Sequence, residues 1–333
     1  MLLRLRHFVI DIIGALLVGI AVFFLLSGNN GRFPFSSVSL SPRLLDVKTL
    51  FLSILLEAIP FVLLGVFFSA LIQTFVKDEQ VRRWTPRNVF IALPFAALLG
   101  FLFPVCECAI VPIVRRFIQK GMPAHIGIVF MLAGPVVNPV VMAATYTAFQ
   151  RQPDMVIERS LLALVVAMLT GLLLWMFHRQ NPLKLGVDRQ IQHEIAHAEA
   201  RSAGIGATFR HAVDEFFDMG KFLIFGALVS SILQVYFSRE TLASIGQTPL
   251  TAHLAMMGLG YVFSLCSEAD AFIAASFAGT FSKSSLLAFL VFGPMIDLKN
   301  TLMLFSAFRF SFVVKLIAIV TVLVLLFTLW LPL

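Results

Sequence analysis

Apolar runs of about 20 residues recur along this chain from end to end, and a helix of that length crosses the hydrocarbon core of a bilayer. Only 13% of the 333 residues are charged while 59% are hydrophobic, against roughly 25% charged in a soluble domain. The longest polar stretch, residues 177–214, is too short and too charged to bury a core of its own. The reading is an all-α polytopic membrane protein, multi-pass in the cell (inner or plasma) membrane, with the lipid bilayer as its first partner. In such a chain the net charge of +7 reflects Lys and Arg gathered on cytoplasmic loops, not nucleic-acid binding. Three cysteines make no disulfide framework and read as free thiols. The N-terminal Arg4, Arg6 and His7 ahead of an apolar run imitate a signal peptide. That run is too long for one and no small-residue cleavage site follows, so residues 8–26 read as a retained first span.

Polar residues inside the apolar runs carry the rest of the information. Phe103-Pro-Val-Cys106-Glu107-Cys108-Ala-Ile-Val-Pro112 places two thiols and a carboxyl among apolar neighbours. A charge in hydrocarbon is expensive, so its presence points to function. About 160 residues later comes Phe263-Ser-Leu-Cys266-Ser-Glu268-Ala-Asp270. Other features repeat at the same offset. Glu57 corresponds to Asp218 and Gly65 to Gly226, and Gly134-Pro135 with Asn138 corresponds to Gly293-Pro294 with Asp297. An internal duplication divides the chain into an N-terminal span and external loop (1–46), repeat 1 (47–177), a cytoplasmic polar loop (178–214) and repeat 2 (215–333).

Charge sets the expected topology. The arms flanking each Cys-containing tip have roughly 13 to 17 residues, marginal for a core of ~30 Å. If each tip is the turn of a re-entrant or short-helix hairpin and the N-terminus is cytoplasmic, three basic loops (near Arg82, at Arg115 to Lys120, and at Arg179 to Arg210) all fall inside. Only scattered charges such as Arg32, Arg43, Arg151, Arg159 and Arg239 remain outside. This gives about seven full crossings plus two hairpins. Each repeat then has an odd number of crossings, so the two repeats are inverted and their tips meet near the midplane, a plan common among transporters.

Each candidate residue has a bland reading beside the functional one. Cys106 and Cys108 would point apart on a regular helix but converge at an irregular tip, which Pro104 and Pro112 favour; thiolates take soft partners, whereas a small buried Cys needs no function. Glu268 and Asp270 line a solute path, or face a water-filled vestibule, or pair with Lys283. Glu57 and Asp218 serve as coupling groups, or cap helices, with Lys221 a simple i,i+3 neighbour of Asp218. Asn138 and Asp297 follow Gly-Pro breaks that expose half-helix N-termini. Asp297 and Lys299, two apart and not face to face, need partners elsewhere, across the repeat interface. His193-Glu194-Ile195-Ala196-His197 matches a zinc-protease pattern, but it lies in a charged, Ala-rich segment with no third ligand and reads as an incidental match. No catalytic pair, no cofactor motif and no G-x-x-x-x-G-K-[ST] occurs. Energy must come from an ion gradient, the solute's own gradient or a separate subunit.

At these residues the chain resembles the ArsP-like permeases, the YraQ- and YcgR-type bacterial membrane proteins described as predicted permeases. The resemblance covers most of the chain after the first span. It rests on Phe103 to Pro112, on Gly134-Pro-Val-Val-Asn138-Pro139 and on Cys266-Ser-Glu-Ala-Asp-Ala-Phe272. It implies a permease. The best understood members export trivalent organoarsenicals through cysteine thiols, which makes Cys106, Cys108 and Cys266 the implied ligands. The Ser267 to Asp270 variant resembles the YcgR-like branch, whose genes often accompany a second membrane protein and sometimes metal-homeostasis genes. Its extra carboxylates fit a divalent cation at least as well. The substrate-binding set is therefore Cys106, Glu107, Cys108, Cys266, Glu268, Asp270, Asn138 and Asp297, with Glu57 and Asp218 coupling. The alternatives are a non-transporting membrane subunit or redox scaffold of a larger complex and, least favoured, an intramembrane enzyme.

Overall fold

A computed structural model describes residues 42–86, 88–103, 106–177, 182–183, 205–236 and 248–330, without the side chains of 205–212, 214 and 218. The expected first span, Pro104, the His193 to His197 motif and the side chain of Asp218 lie outside the described residues.

Every regular element among them is a helix. In chain order these are α1 (Pro42–Phe75), α2 (Asp78–Trp84), α3 (Val89–Leu102), α4 (Glu107–Gln119), α5 (Ala124–Ala133), α6 (Pro139–Ala148), α7 (Asp154–Phe177), α8 (Ile205–Tyr236), α9 (Pro249–Phe263), α10 (Ser267–Ser276), α11 (Lys283–Met295), α12 (Leu298–Ala307) and α13 (Phe310–Trp330). Five stretches are long and apolar enough to cross a membrane: α1, α7, the Glu215–Tyr236 part of α8, α11 with α12, and α13. A sixth is reached if α2 and α3, bent by 109°, count as one. This is the architecture of a multi-pass helical membrane protein. At 1.5 Å per residue the arms α3, α4, α9 and α10 are each too short to cross a ~30 Å core alone.

Several boundaries differ from the sequence reading, each for a physical reason. The basic segment after α1 is not all loop: Asp78 and Glu79 sit in the first turn of α2 and Arg82 and Arg83 in its last, matching the helix dipole at both ends. As the Gly134-Pro135 pair led one to expect, residues 124–149 divide into α5 and α6, at Gly134 to Asn138. Helix α7 starts at Asp154 and so takes in Arg159, read as an external charge, because Glu158 and Arg159 both find partners inside the protein. The polar loop ends sooner than expected, since α8 is helical from Ile205.

The broken pair α11 and α12 is the centre of the molecule. Of its most apolar window 89% is buried, against 33–39% for the other long spans. The elements around each tip follow one plan. The first arms, α3 and α9, pack on the broken pairs beside them, α5 and α11, through glycine. A Cβ on Gly100 would lie 2.9 Å from the Gly134 Cα, and one on Gly260 3.3 Å from the Gly293 Cα. Small residues let backbones approach this closely inside a membrane. The two long helices α1 and α8 pack against each other. At one end a buried Arg116–Glu215 pair (3.3 Å) joins α4 to α8, and Ser69 of α1 donates to the same carboxylate at 2.9 Å.

Candidate functional site

Both tips are helix N-termini with cysteine at the cap. Cys106 (φ −70°, ψ 163°) precedes α4 and Cys266 (φ −73°, ψ 155°) precedes α10. Cys106 caps α4 with extended backbone, and Cys108 stands two residues on in the first turn of that helix. Pro112 lies within α4 and does not end it. Cys108 is buried, whereas Cys106 and Cys266 are half-buried. Glu57, on the exposed side of α1, stands near the Cys266 thiol of the second tip.

The breaks beside the Gly-Pro pairs supply two more helix N-termini; the first falls at Gly134, whereas Gly293 and Pro294 still lie in the last turn of α11 and the second falls at Ile296 and Asp297. Asn138 caps α6: its side-chain oxygen accepts from Val141 N at 2.9 Å and its amide donates to Gly134 O at 3.1 Å. Asp297 caps α12 by accepting from Asn300 N. The four N-termini pair crosswise. Helix α4 of the first tip packs on α12, and α10 of the second tip packs on α6.

Lys299, in the first turn of α12, ties both tips together. Its Nζ donates to Glu107 Oε1 of the first tip at 3.1 Å and to Ser264 O of the second at 3.1 Å, and lies 3.6 Å from Asp297 Oδ2. All three charged groups are at most 4% exposed. Asp297 and Lys299 were expected not to face each other. They do approach, because Asp297 is a cap with extended backbone (φ −119°, ψ 172°) and its carboxylate folds over the turn that carries Lys299. Ser264, the acceptor, sits at φ 49°, and it is the one non-glycine residue with positive φ among the described residues. Such a conformation persists only where its surroundings hold it. Here Lys299 occupies its carbonyl, its hydroxyl donates to Tyr261 O, and Lys299 N donates to that hydroxyl.

Arg159 was expected among scattered external charges and instead is 1% exposed. From α7 it donates to Thr145 Oγ1 of α6 at 2.7 Å, to Ser267 O of the second tip at 3.0 Å and to Leu290 O of α11 at 3.2 Å. The last contact follows from the sequence. Pro294 has no N–H, so the carbonyl four residues before it loses its helical donor, and Arg159 replaces that donor.

Asp270 is equally buried, at 1% exposure, yet neither carboxyl oxygen has a hydrogen-bond partner. Its Oδ2 lies 3.1 Å from where a Cβ on Gly293 would stand. Glu268 on the same helix is half-buried. Lys283, considered as a partner for these acids, pairs with Glu158 instead. Among the described residues no three His, Cys, Asp or Glu side chains gather close enough to hold one metal ion.

The structure thus brings Glu107 and Asp297 together on Lys299, places Glu57 near Cys266, and caps the half-helices with Asn138 and Asp297. Lys299 and Arg159 are the groups that sequence reasoning left out of the site. The Leu290–Pro294 spacing signals a carbonyl in need of a donor but does not say which side chain provides it.

A family described as "Predicted permease", ArsP_1, matches residues 43–331. The chain belongs to this permease family. Within it, the chain is similar to the UPF0718 protein YcgR of Bacillus subtilis, 48% identical over 281 residues that cover 84% of this chain and 95% of that one. It is also similar to the "Putative two-component membrane permease complex subunit" of Streptococcus mutans, 39% identical over 290 residues, 87% of this chain and 96% of the relative. The UPF0718 protein MJ0584 of Methanocaldococcus jannaschii is 33% identical over 88 residues, 26% of this chain and 23% of the relative. No solved structure matches the chain.

Proposed function

We propose that this permease-family protein moves a small solute by alternating access between two inverted repeats, around a site where the two tips and the two half-helix N-termini meet. One observation supports this above the rest. Lys299 holds a carboxylate of the first tip and a carbonyl of the second at 3.1 Å each, so one buried side chain joins both. Irregular backbone and buried charge at this depth are tolerated where protein or a cavity surrounds them, and transporters place their sites there. The crosswise packing of α4 on α12 and of α10 on α6 fits inverted repeats that exchange partners at the midplane. The topology that goes with it has a cytoplasmic N-terminus, re-entrant hairpins and about seven full crossings in the cell membrane.

For the solute, the adjacent thiols of Cys106 and Cys108, with Cys266 on the other tip, favour a thiophilic organometalloid such as a trivalent organoarsenical, leaving by efflux. A divalent metal ion is the second candidate, and it would have to assemble its ligands on binding, since no three ligands stand ready among the described residues. Glu107, Glu268, Asp270, Asn138 and Asp297 complete the polar lining, and Glu57 and Asp218 are the coupling candidates. The Streptococcus relative's name, a subunit of a two-component membrane permease complex, favours a second membrane subunit as partner.

The test titrates the purified protein with a trivalent methylarsenical, zinc and cobalt, with and without Cys106→Ser and Cys108→Ser. Arsenical binding that disappears with the thiols supports the organometalloid. Metal binding that survives loss of the thiols but fails in Glu107→Gln or Glu268→Gln supports a cation. Binding of none, restored by a co-expressed second subunit, moves the site to the complex.

A further inference from the structure

The buried polar groups between the repeats do not balance. Glu107 and Asp297 share Lys299. Arg159 spends its guanidinium on Thr145 Oγ1 and on the carbonyls of Leu290 and Ser267. Asp270 is left with no donor on either oxygen at 1% exposure. A carboxylate stripped of water without a counter-charge or donor is among the costliest things a protein interior can hold. Neither helix packed on α10 supplies a donor. Helix α6, packed on α10, carries no charged residue. Helix α11, also packed on it, has only Lys283, which is engaged by Glu158. Beyond these stand Arg159, Lys299, Asp297 and Glu57, which act on Asp270 through space without a hydrogen bond, and Glu268 two residues back on the same helix.

We propose that Asp270 is a coupling-ion site, a carboxyl that takes up one small monovalent cation, a proton or an alkali ion, and releases it during the transport cycle. The inference rests on the permease reading and adds the ion that drives it. Its location suits that role. The carboxyl lies against Gly293, in the last turn of α11 just before the break of the central span. It also stands one helical turn from Ser267, whose carbonyl Arg159 holds. With the cation present, Asp270 is neutral and Arg159 stays on Thr145, Leu290 and Ser267. With the cation gone, the bare carboxylate competes for Arg159 and loosens its hold on the second tip and on the break. A divalent ion is disfavoured, because no further acidic, Cys or His ligand joins Asp270 in a three-ligand group among the described residues.

The experiment uses the full-length protein in lipid nanodiscs, without any transported solute. Infrared spectra are recorded across a pH series and, at fixed pH, across sodium and potassium series, for the wild type, Asp270→Asn and a Glu107→Gln control. Proton occupancy predicts a protonated-carboxyl C=O band that persists in Glu107→Gln, is lost in Asp270→Asn and ignores sodium and potassium. Alkali occupancy predicts no such band. It predicts instead a carboxylate band and a thermal-unfolding midpoint that shift with sodium or potassium in the wild type but not in Asp270→Asn. If Asp270→Asn does not fold, Gly293→Ala serves, since the added methyl lands against Asp270 Oδ2 and must shift the same band or the same cation midpoint. A carboxylate band unaffected by pH, sodium, potassium or Gly293→Ala overturns the proposal and makes Asp270 a permanent anion. Because no solute enters the measurement, failure here leaves the permease reading standing, and failure of the arsenical or metal titration leaves this result untouched.

Discussion

The two tips are built alike and finished differently. Each starts a helix at a cysteine cap, each first arm meets a Gly-Pro break through glycine, and each lies against the half-helix of the other repeat. At the first tip the carboxyl of Glu107 is held by Lys299 at 3.1 Å. The second tip has Ser267 at the position of Glu107, and repeat 1 has Val140 at the position of Lys299. The ion pair therefore has no counterpart. In its place Arg159 holds the Ser267 carbonyl, and the nearby carboxyl, Asp270, stays unpartnered. The two tips thus differ in polar chemistry: one is held by a buried ion pair, and the other carries a buried carboxyl without a hydrogen-bond partner.

The comparison can be broken in several places. The largest effect is expected from Lys299→Met, which leaves Glu107 and Asp297 as buried charges without a partner and should cost about 3–5 kcal/mol of stability. Val140→Met at the equivalent position, which is 51% exposed, should fall within about 0.5 kcal/mol of wild type. Equal losses in thermal unfolding would erase the asymmetry. Arg159→Met comes next. It strands Leu290 O, for which Pro294 provides no donor, and removes a bond from Ser267 O and Thr145, so a loss of about 2–3 kcal/mol is expected at roughly 1–3 per orphaned group. Acid- or chaotrope-induced unfolding that leaves this variant unchanged would remove Arg159 from the account.

Smaller substitutions sharpen the likeness of the repeats. Gly100→Ala meets the Gly134 Cα at 2.9 Å, and Gly260→Ala meets the Gly293 Cα at 3.3 Å. Both should destabilise, by about 1–3 kcal/mol for forced overpacking, with Gly100→Ala the worse. The reverse order would mean that the first arm yields more easily than the second. Smallest is Asn138→Ala, which removes the α6 cap for about 1 kcal/mol, measurable as faster amide exchange over Val140 to Met142 alone.

Much of this was legible beforehand. Apolar run length gave the helices and the membrane. The matched Gly-Pro pairs marked the breaks, because proline withholds a donor wherever it stands and glycine alone permits the Gly100–Gly134 approach. Asn138 and Asp297 are readable as caps from their place after the breaks. What the sequence did not carry is which side chains meet across the fold. Glu107 and Lys299 are separated by most of the chain, and neither local spacing nor composition encodes their contact. Arg159 was misplaced because a helix start at Asp154 puts a charge inside the span, where hydropathy alone assigns it to a loop. Asp270 was marked as notable, but its lack of a partner is a property of its neighbours, visible only once α6, α7, α10 and α11 are assembled.

The most direct test of the central claim, that one ion pair locks the first tip to the other repeat, is a double-mutant cycle on thermal unfolding with Glu107→Gln, Lys299→Met and the pair together. The account predicts that each single change is strongly destabilising and that the double variant recovers much of the loss, with a coupling of about 1–3 kcal/mol. Additive losses would contradict it, since Glu107 and Lys299 would then not share a contact in the protein.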